Sequence, residues 1–369
     1  YHPKQHNQIR PHTRGMVYLY DTINSAELQD AARKTAANHK VVNWLGDLMP
    51  LSAQAAMQHC GDYLVFLENE ERDKRKLDTG YFCKQRLCSG CAWRSALKSA
   101  QCISAISAAL AADRKIMLMV TLTVPNCAAA DLRDTMRRIN AAWHKMLRRK
   151  KYAVWADYIR KMEITYNHQA NTYHPHLHCI VYVSSAYFVR GYISQAQLLA
   201  DWRAAYGDNS ITQVDLRRCK QVREGTSAIL EVSKYAAKAS DFAVSEEVAR
   251  VFYRALHHAR MMEYAGRCAD LRDKYQGGGL AEYEEIDTVR YTLRVVYVYS
   301  RVSQAYDVHD IRPYDMDEAE LARLQADEAR LGAYACAQAN SAEGWREWLR
   351  TDWVRAMEQA APWEIEVLP

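Results

Sequence analysis

The stretch that most constrains this chain is His174-Pro175-His176-Leu177-His178, which runs straight into Cys179-Ile180-Val181-Tyr182-Val183. The β-branched and aromatic run favours an extended strand, and on a strand successive side chains point to opposite faces. His176 and His178 therefore project together and can share one metal ion. A polar turn, residues 167–173, separates this strand from a second extended run, Lys161 to Tyr166, so the two read as an antiparallel hairpin. With the hairpin centred near residue 170 or 171, Glu163 is expected opposite His178 on the same face. Two imidazoles and a carboxylate with open positions suit Mg²⁺ or Mn²⁺ acting on an oxygen ligand, rather than a closed tetrahedral zinc. His174 reads as a neighbour of that ion rather than as a ligand.

The rest of the pattern surrounds this hairpin with helices and further strands. Helical periodicity is expected over Ala26 to Asn38, Ser95 to Ala112, Ala129 to Lys150, Leu198 to Tyr206, Thr226 to Ala239, Val248 to Lys274 and residues 316–360. Strands are expected over Ile116 to Val124, stopped by Pro125-Asn126, and over Ile211 to Arg217 and Val289 to Val302. Antiparallel strands interleaved with helices argue for an α+β sheet domain and against a doubly wound parallel sheet. Four segments follow: a mostly helical 1–55, a cysteine-rich 56–95, a sheet domain over 96–245, and C-terminal helices with one additional strand over 246–369. Tyr1 is not a start methionine, so the sequence reads as one that lacks an initial segment.

Ten cysteines occur, four of them close together: Cys60, then Cys83-x4-Cys88-x2-Cys91. A disulfide scaffold is normally small and secreted, which a chain of 369 residues is not. Four thiolates including one Cys-x2-Cys turn match a structural Zn²⁺ site, with His59 as the alternative to Cys60. Such an ion contributes on the order of 10 kcal/mol to folding a loop-rich segment, so it acts as a brace and not as the catalyst. The flanking Lys84, Arg86, Arg94 and Lys98 would then form a fixed basic surface suited to a nucleic-acid backbone.

Net charge is only +5, yet the basic residues cluster, above all in Arg148-Arg149-Lys150-Lys151. Phosphate neutralisation depends on neighbouring cations more than on the sum, so Arg148 and Arg149 are candidate nucleic-acid contacts, as are His174 and Lys234. No stretch reaches the roughly 18 apolar residues of a membrane span, and no apolar signal core opens the sequence, so it reads as soluble and cytoplasmic. Of 24 tyrosines, Tyr235 stands out because Glu231 lies four residues before it and Lys238 three after, on one face of the expected helix. A phenol ionises near pH 10, and a nearby ammonium and metal favour the phenolate needed for nucleophilic attack. The plainer alternative is an exposed helix face with a tyrosine packed beneath it.

Taken in order, Cys60-Gly61, Phe82-Cys83-Lys84-x-Arg86-x-Cys88-x2-Cys91-Ala-Trp-Arg94, Thr121-Leu-Thr-Val-Pro-Asn126, Glu163-Ile-Thr-Tyr-Asn167, His174 to His178 and Glu231-x3-Tyr235-x2-Lys238 make a set. Residues 56 to about 270 thus resemble the plasmid rolling-circle replication initiators of the HUH endonuclease class, in their single-tyrosine form. The resemblance implies that Tyr235 nicks one strand at the double-strand origin, leaving a 5′-phosphotyrosine and a free 3′-OH primer. It also implies that the cycle ends by strand transfer or by hydrolysis, with Glu231 activating water. A ferredoxin-like, five-stranded antiparallel sheet carrying the histidines is implied as well. Origin DNA is the implied partner, with origin specificity and contacts to host helicase and polymerase expected in 1–55 and 280–369, where nothing matches; the charged helices after residue 316 read as packing onto their own domain, with a dimer surface as the alternative. The proline usual after the cysteine at position 88 is replaced by Ser89-Gly90. A transposase of the HUH type is the nearest alternative, although Ala236 to Ala239 offers no second tyrosine. A non-enzymatic zinc-finger DNA-binding protein is the alternative from another class.

Overall fold

The computed structural model describes residues 26–219, 222–234, 237–284 and 287–337. Among them are nine strands: β1 Tyr63–Glu68, β2 Arg75–Gly80, β3 Ile116–Leu122, β4 Asp157–Asn167, β5 Thr172–Val183, β6 Val214–Arg218, β7 Met262–Ala265, β8 Leu293–Ser300 and β9 Ala305–Pro313. The α-helices are α1 Ala26–Leu45, α2 Leu51–Gln58, α3 Ser89–Ala112, α4 Leu132–Leu147, α5 Tyr187–Arg190, α6 Gln195–Tyr206, α7 Val222–Ser233, α8 Ala239–Phe242, α9 Glu246–Leu256, α10 Arg267–Gln276 and α11 Glu318–Ala337. The chain is therefore α+β with antiparallel sheets, and of the helix expected over residues 316–360 the part beyond Ala337 lies outside the described residues. No helix among the described residues is long and apolar enough to cross a membrane.

Five strands form the larger sheet in the order β6-β3-β5-β4-β7, every pair antiparallel. The histidine strand β5 is its middle member. Helices cover both faces, which is why residues 179–183 read as a continuous apolar run rather than an alternating one. On one face Cys179, Val181 and Val183 join Leu118, Val120, Met162 and Ile164 beneath Trp143 of α4, Trp202 of α6 and Phe252 of α9. On the other, Ile180 and Tyr182 join Met117, Met119 and Ile159 beneath Ile103 and Ile106 of α3 and Ile229 and Val232 of α7. Each fully buried side chain of this size is worth about 1.5–3 kcal/mol in apolar transfer.

Helix ends follow local chemistry. Ser194 caps α6 in a reciprocal box with Gln197, and Gly207 closes it at φ 80°, so the helix begins three residues before the expected Leu198. The single helix expected over Val248 to Lys274 is instead α9, β7 and α10. His258 takes a left-handed φ of 56° after α9, and the chain then lies along the free edge of β4. The helix expected over Thr226 to Ala239 also divides, ending at Ser233 as α7 and restarting at Ala239 as α8.

The second sheet has the order β2-β1-β8-β9 and carries α1 on one face through Leu28. It unites residues 63–80 with 293–313, and β7 completes the larger sheet from beyond residue 245, so both sheets cross the boundaries drawn from sequence. Glu68 is fully buried in this sheet, and its carboxylate accepts hydrogen bonds from Arg72 Nε and from the Tyr297 hydroxyl, each at 2.7 Å.

Candidate active site

The face of β5 that holds Tyr182 and Ile180 in the core turns polar at its other end with His178, His176 and His174. Glu163 of β4 lies directly opposite His176, and Lys161 opposite His178. The register therefore corrects the expected pairing of Glu163 with His178. The turn closes over residues 168–171, a slip of two residues, which leaves every side chain on its expected face. Glu163 Oε2 stands 3.1 Å from His178 Nε2 and 3.5 Å from His176 Nε2, and all three residues are buried.

Both remaining ring nitrogens are occupied. His176 Nδ1 donates to the His174 carbonyl at 3.1 Å, and His178 Nδ1 shares a hydrogen bond of 3.2 Å with the Thr121 hydroxyl on β3. These bonds turn both Nε2 atoms toward the carboxylate, the arrangement that orients imidazole ligands around an ion. Burial would raise the Glu163 carboxyl, but hydrogen bonds from His176 and His178 outweigh it and hold the group well below the usual carboxylate range. The donors thus fit a divalent cation with open positions, able to polarise an oxygen ligand.

Helix α7 brings Glu231 to the same place, with Oε2 at 3.8 Å from His178 Nε2 and Oε1 paired to the Lys234 amine. Tyr235, two residues beyond the end of α7, lies outside the described residues. Lys238 is exposed, sits at the start of α8, and donates its backbone N–H to Asp241 Oδ2 at 3.2 Å. Glu231 and Lys238 therefore do not share one helix face, contrary to the expected continuous helix. Lys161 escaped sequence reasoning although its spacing of two from Glu163 places it on the same strand face. Burial draws its amine down to about 8, partly offset by Glu163 and reinforced by the charge of Arg86.

Cys60, Cys83, Cys88 and Cys91 converge, with Sγ separations of 3.4 Å for Cys60 and Cys88, 3.6 Å for Cys60 and Cys91 and 3.7 Å for Cys83 and Cys91. Tetrahedral zinc with Zn–S bonds of about 2.3 Å spaces its sulfurs about 3.8 Å apart, so the cage fits that ion. The backbone N–H of Lys84 donates to Cys91 Sγ at 3.1 Å and that of Gln85 to Cys83 Sγ at 3.4 Å, as suits sulfurs carrying thiolate charge. Asn38 on α1 adds a side-chain donor to Cys88 Sγ at 3.0 Å and accepts from the Ser89 N–H, a role that no local spacing signals. His59 instead pairs with Asp62 at 2.7 Å.

The other candidates are dispersed. Arg94 lies over the Phe82 ring at 4.2 Å. Arg148 ends α4 and Arg149 donates to Asp201 at 2.6 Å, both on the sheet face opposite the imidazoles. Asp201 also accepts from Tyr152 at 2.9 Å and pairs with Lys151, so part of the basic run serves internal packing. The His174 ring stacks at an angle beside His176, 5.2 Å between centroids.

Comparison with known proteins places this geometry in a family. The profile described as a replication protein matches residues 74–306, which contain the imidazole cluster and three of the four cysteines. A "Protein rep" of Staphylococcus aureus is 34% identical over 52% of this chain and 84% of its own length. One from Streptococcus pneumoniae is 29% identical over 68% of this chain and 83% of its own, and one from Bacillus amyloliquefaciens is 32% identical over 63% and 77%. No solved structure matches the chain at a significant level. The chain belongs to the replication protein family.

Proposed function

We propose that this protein initiates rolling-circle replication of a plasmid as an endonuclease of the HUH class, acting on origin DNA in the cytoplasm. The observation that carries this reading is the convergence of His176, His178 and Glu163 with Glu231 of α7, the helix whose chain leads directly to Tyr235. The five-stranded sheet presenting those imidazoles from its middle strand supports the same reading.

In this mechanism the Tyr235 phenolate attacks the phosphorus of one backbone phosphodiester. The bond from phosphorus to the 3′ oxygen breaks, that oxygen takes a proton to become the primer 3′-OH, and the 5′ phosphate stays esterified to tyrosine. His176, His178 and Glu163 would hold a divalent ion, Mn²⁺ in preference to Mg²⁺ because two of three donors are imidazole nitrogens, and it would supply neutralisation of the charge growing on the phosphate. Glu231 takes a proton from water in a terminating hydrolysis of the phosphotyrosine, its carboxylate held ready by Lys234. The bond exchanged is of similar energy to the bond formed, so religation by a 3′-OH needs no ATP. The four cysteines would hold a structural Zn²⁺ that stiffens the segment beside this centre.

The test is incubation with supercoiled plasmid carrying the cognate origin and Mn²⁺, followed by denaturing electrophoresis. The wild-type chain is expected to yield an SDS-resistant DNA adduct, Tyr235→Phe none, and Glu231→Ala an adduct that persists. Equal adduct from Tyr235→Phe would remove the tyrosine from the mechanism.

A further inference from the structure

Lys161 is a largely buried cation whose amine makes no hydrogen bond or ion pair among the described residues. It occupies the same cross-sheet row as the metal centre, which runs Asp215, Thr121, His178, Lys161, Met262 from β6 to β7. Its neighbours in that row are therefore His178 on one side and the apolar Met262 on the other. Among the described residues the Lys161 amine makes no hydrogen bond or ion pair, although Glu163 lies on the same face two residues along β4. Glu163 is already taken by two imidazoles. A largely buried ammonium left without a partner is costly, and proteins keep such groups where a ligand completes them.

A second cation strengthens the same corner. Arg86, in the loop between Cys83 and Cys88, donates to the carbonyls of Leu256 at 3.2 Å and Ala259 at 2.5 Å, at and just beyond the end of α9. Those bonds fix its guanidinium but leave its charge uncompensated, and Lys161 lies within its field. The cysteine loop and strand β4 thus carry two cations that act on each other, and among the described residues no carboxylate hydrogen-bonds to either.

We infer that Lys161, seconded by Arg86, forms a subsite for one backbone phosphate of the single DNA strand that enters the metal centre. This rests on the nicking function proposed above and deepens it, since it names how the strand is held when the phosphorus meets the nucleophile. The ammonium contacts a non-bridging oxygen of the phosphodiester directly, as a point charge that needs no fixed fork geometry. No covalent step passes through Lys161.

The test is equilibrium binding of a short, fluorescein-labelled, mixed-sequence single strand to the full chain, measured by anisotropy over a series of salt concentrations. Each lost phosphate contact on a single strand lowers the slope of log affinity against log salt by about 0.7. Lys161→Met is expected to show that loss of slope with weaker binding at low salt, while Lys161→Arg retains the wild-type slope. Thermal unfolding gives an independent readout: removing an unsatisfied buried charge is expected to raise the midpoint of Lys161→Met by about 2 °C or more. An unchanged slope, or weaker binding accompanied by a lowered midpoint, overturns the subsite and makes Lys161 a structural residue. If the wild-type chain binds the strand and forms the adduct while Lys161→Met keeps the wild-type slope, only the subsite fails. If the wild-type chain forms no adduct and binds no strand, the nicking function fails with it.

Discussion

Thr121 shows how one hydroxyl orients an imidazole from a separate strand. Its bond to His178 Nδ1 fixes which ring nitrogen faces Glu163, and Val at this position keeps the shape while deleting the bond. Thr121→Val is expected to weaken Mn²⁺ binding about tenfold to a hundredfold with little change in unfolding midpoint, as read by titration calorimetry. An affinity equal to wild type would mean that packing alone orients the ring. The two side-chain clusters were legible, because a His-x-His on a strand and a Cys-x2-Cys turn are local patterns with local geometry. Partners drawn from remote segments were not: Asn38 reaches Cys88 across fifty residues, and only the packing of α1 against α3 brings them together. Lys161 was hidden for a different reason, since a lysine next to a strand carboxylate reads as its ion-pair partner until the imidazoles are seen to occupy that carboxylate.

At the level of elements, spacing located most helices and strands but not where chains break. The run Ala236-Ala237-Lys238-Ala239 has strong intrinsic helix propensity, so nothing in it announces that α7 stops at Ser233 and α8 starts at Ala239. Strand β7 was concealed in the same way, inside a segment whose composition favours helix, because its pairing with β4 is a tertiary event. That docking is secured by Glu263, which accepts from Tyr158 at 2.8 Å and from Arg160 Nε at 2.8 Å, with Arg160 buried. Burial would raise the Glu263 carboxyl, but Arg160 and Tyr158 together bring it below its ordinary 4.5. The folded-state value being the lower one, this contribution to stability is present above that ordinary value and fades as pH falls through the depressed one. Glu263→Gln is expected to cost about 3 kcal/mol at neutral pH, with the gap to wild type narrowing in acid, as measured by urea unfolding at several pH values. A gap independent of pH would assign the cost to shape rather than charge.

Across the whole molecule, the cysteine cage and the five-stranded sheet share one interior. Leu87 and Cys88 belong to the same apolar cluster as Trp143 and Phe252, and Arg86 is tied to the end of α9. Elemental mass spectrometry is expected to find one zinc per chain. Stripping it, or making Cys88→Ser, is expected to lower the unfolding midpoint of the whole sheet domain, since a structural zinc bound here would couple on the order of 10 kcal/mol of metal binding energy to folding. A metal-free chain that melts like the native one would show that the thiols merely pack. The basic cluster at residues 148–151 serves packing as well as charge: Arg149 and Lys151 are committed to Asp201, on the sheet face opposite the imidazoles. Strand β5, hemmed by β3 along one margin and β4 along the other, has a further consequence. Its twelve-residue ribbon cannot be read out of frame. The loop at 168–171 can change length outside the ladder, but one inserted codon between His178 and Ile180 would turn His176 and His178 toward the oily layer on the opposite face and part them from Glu163 at a stroke.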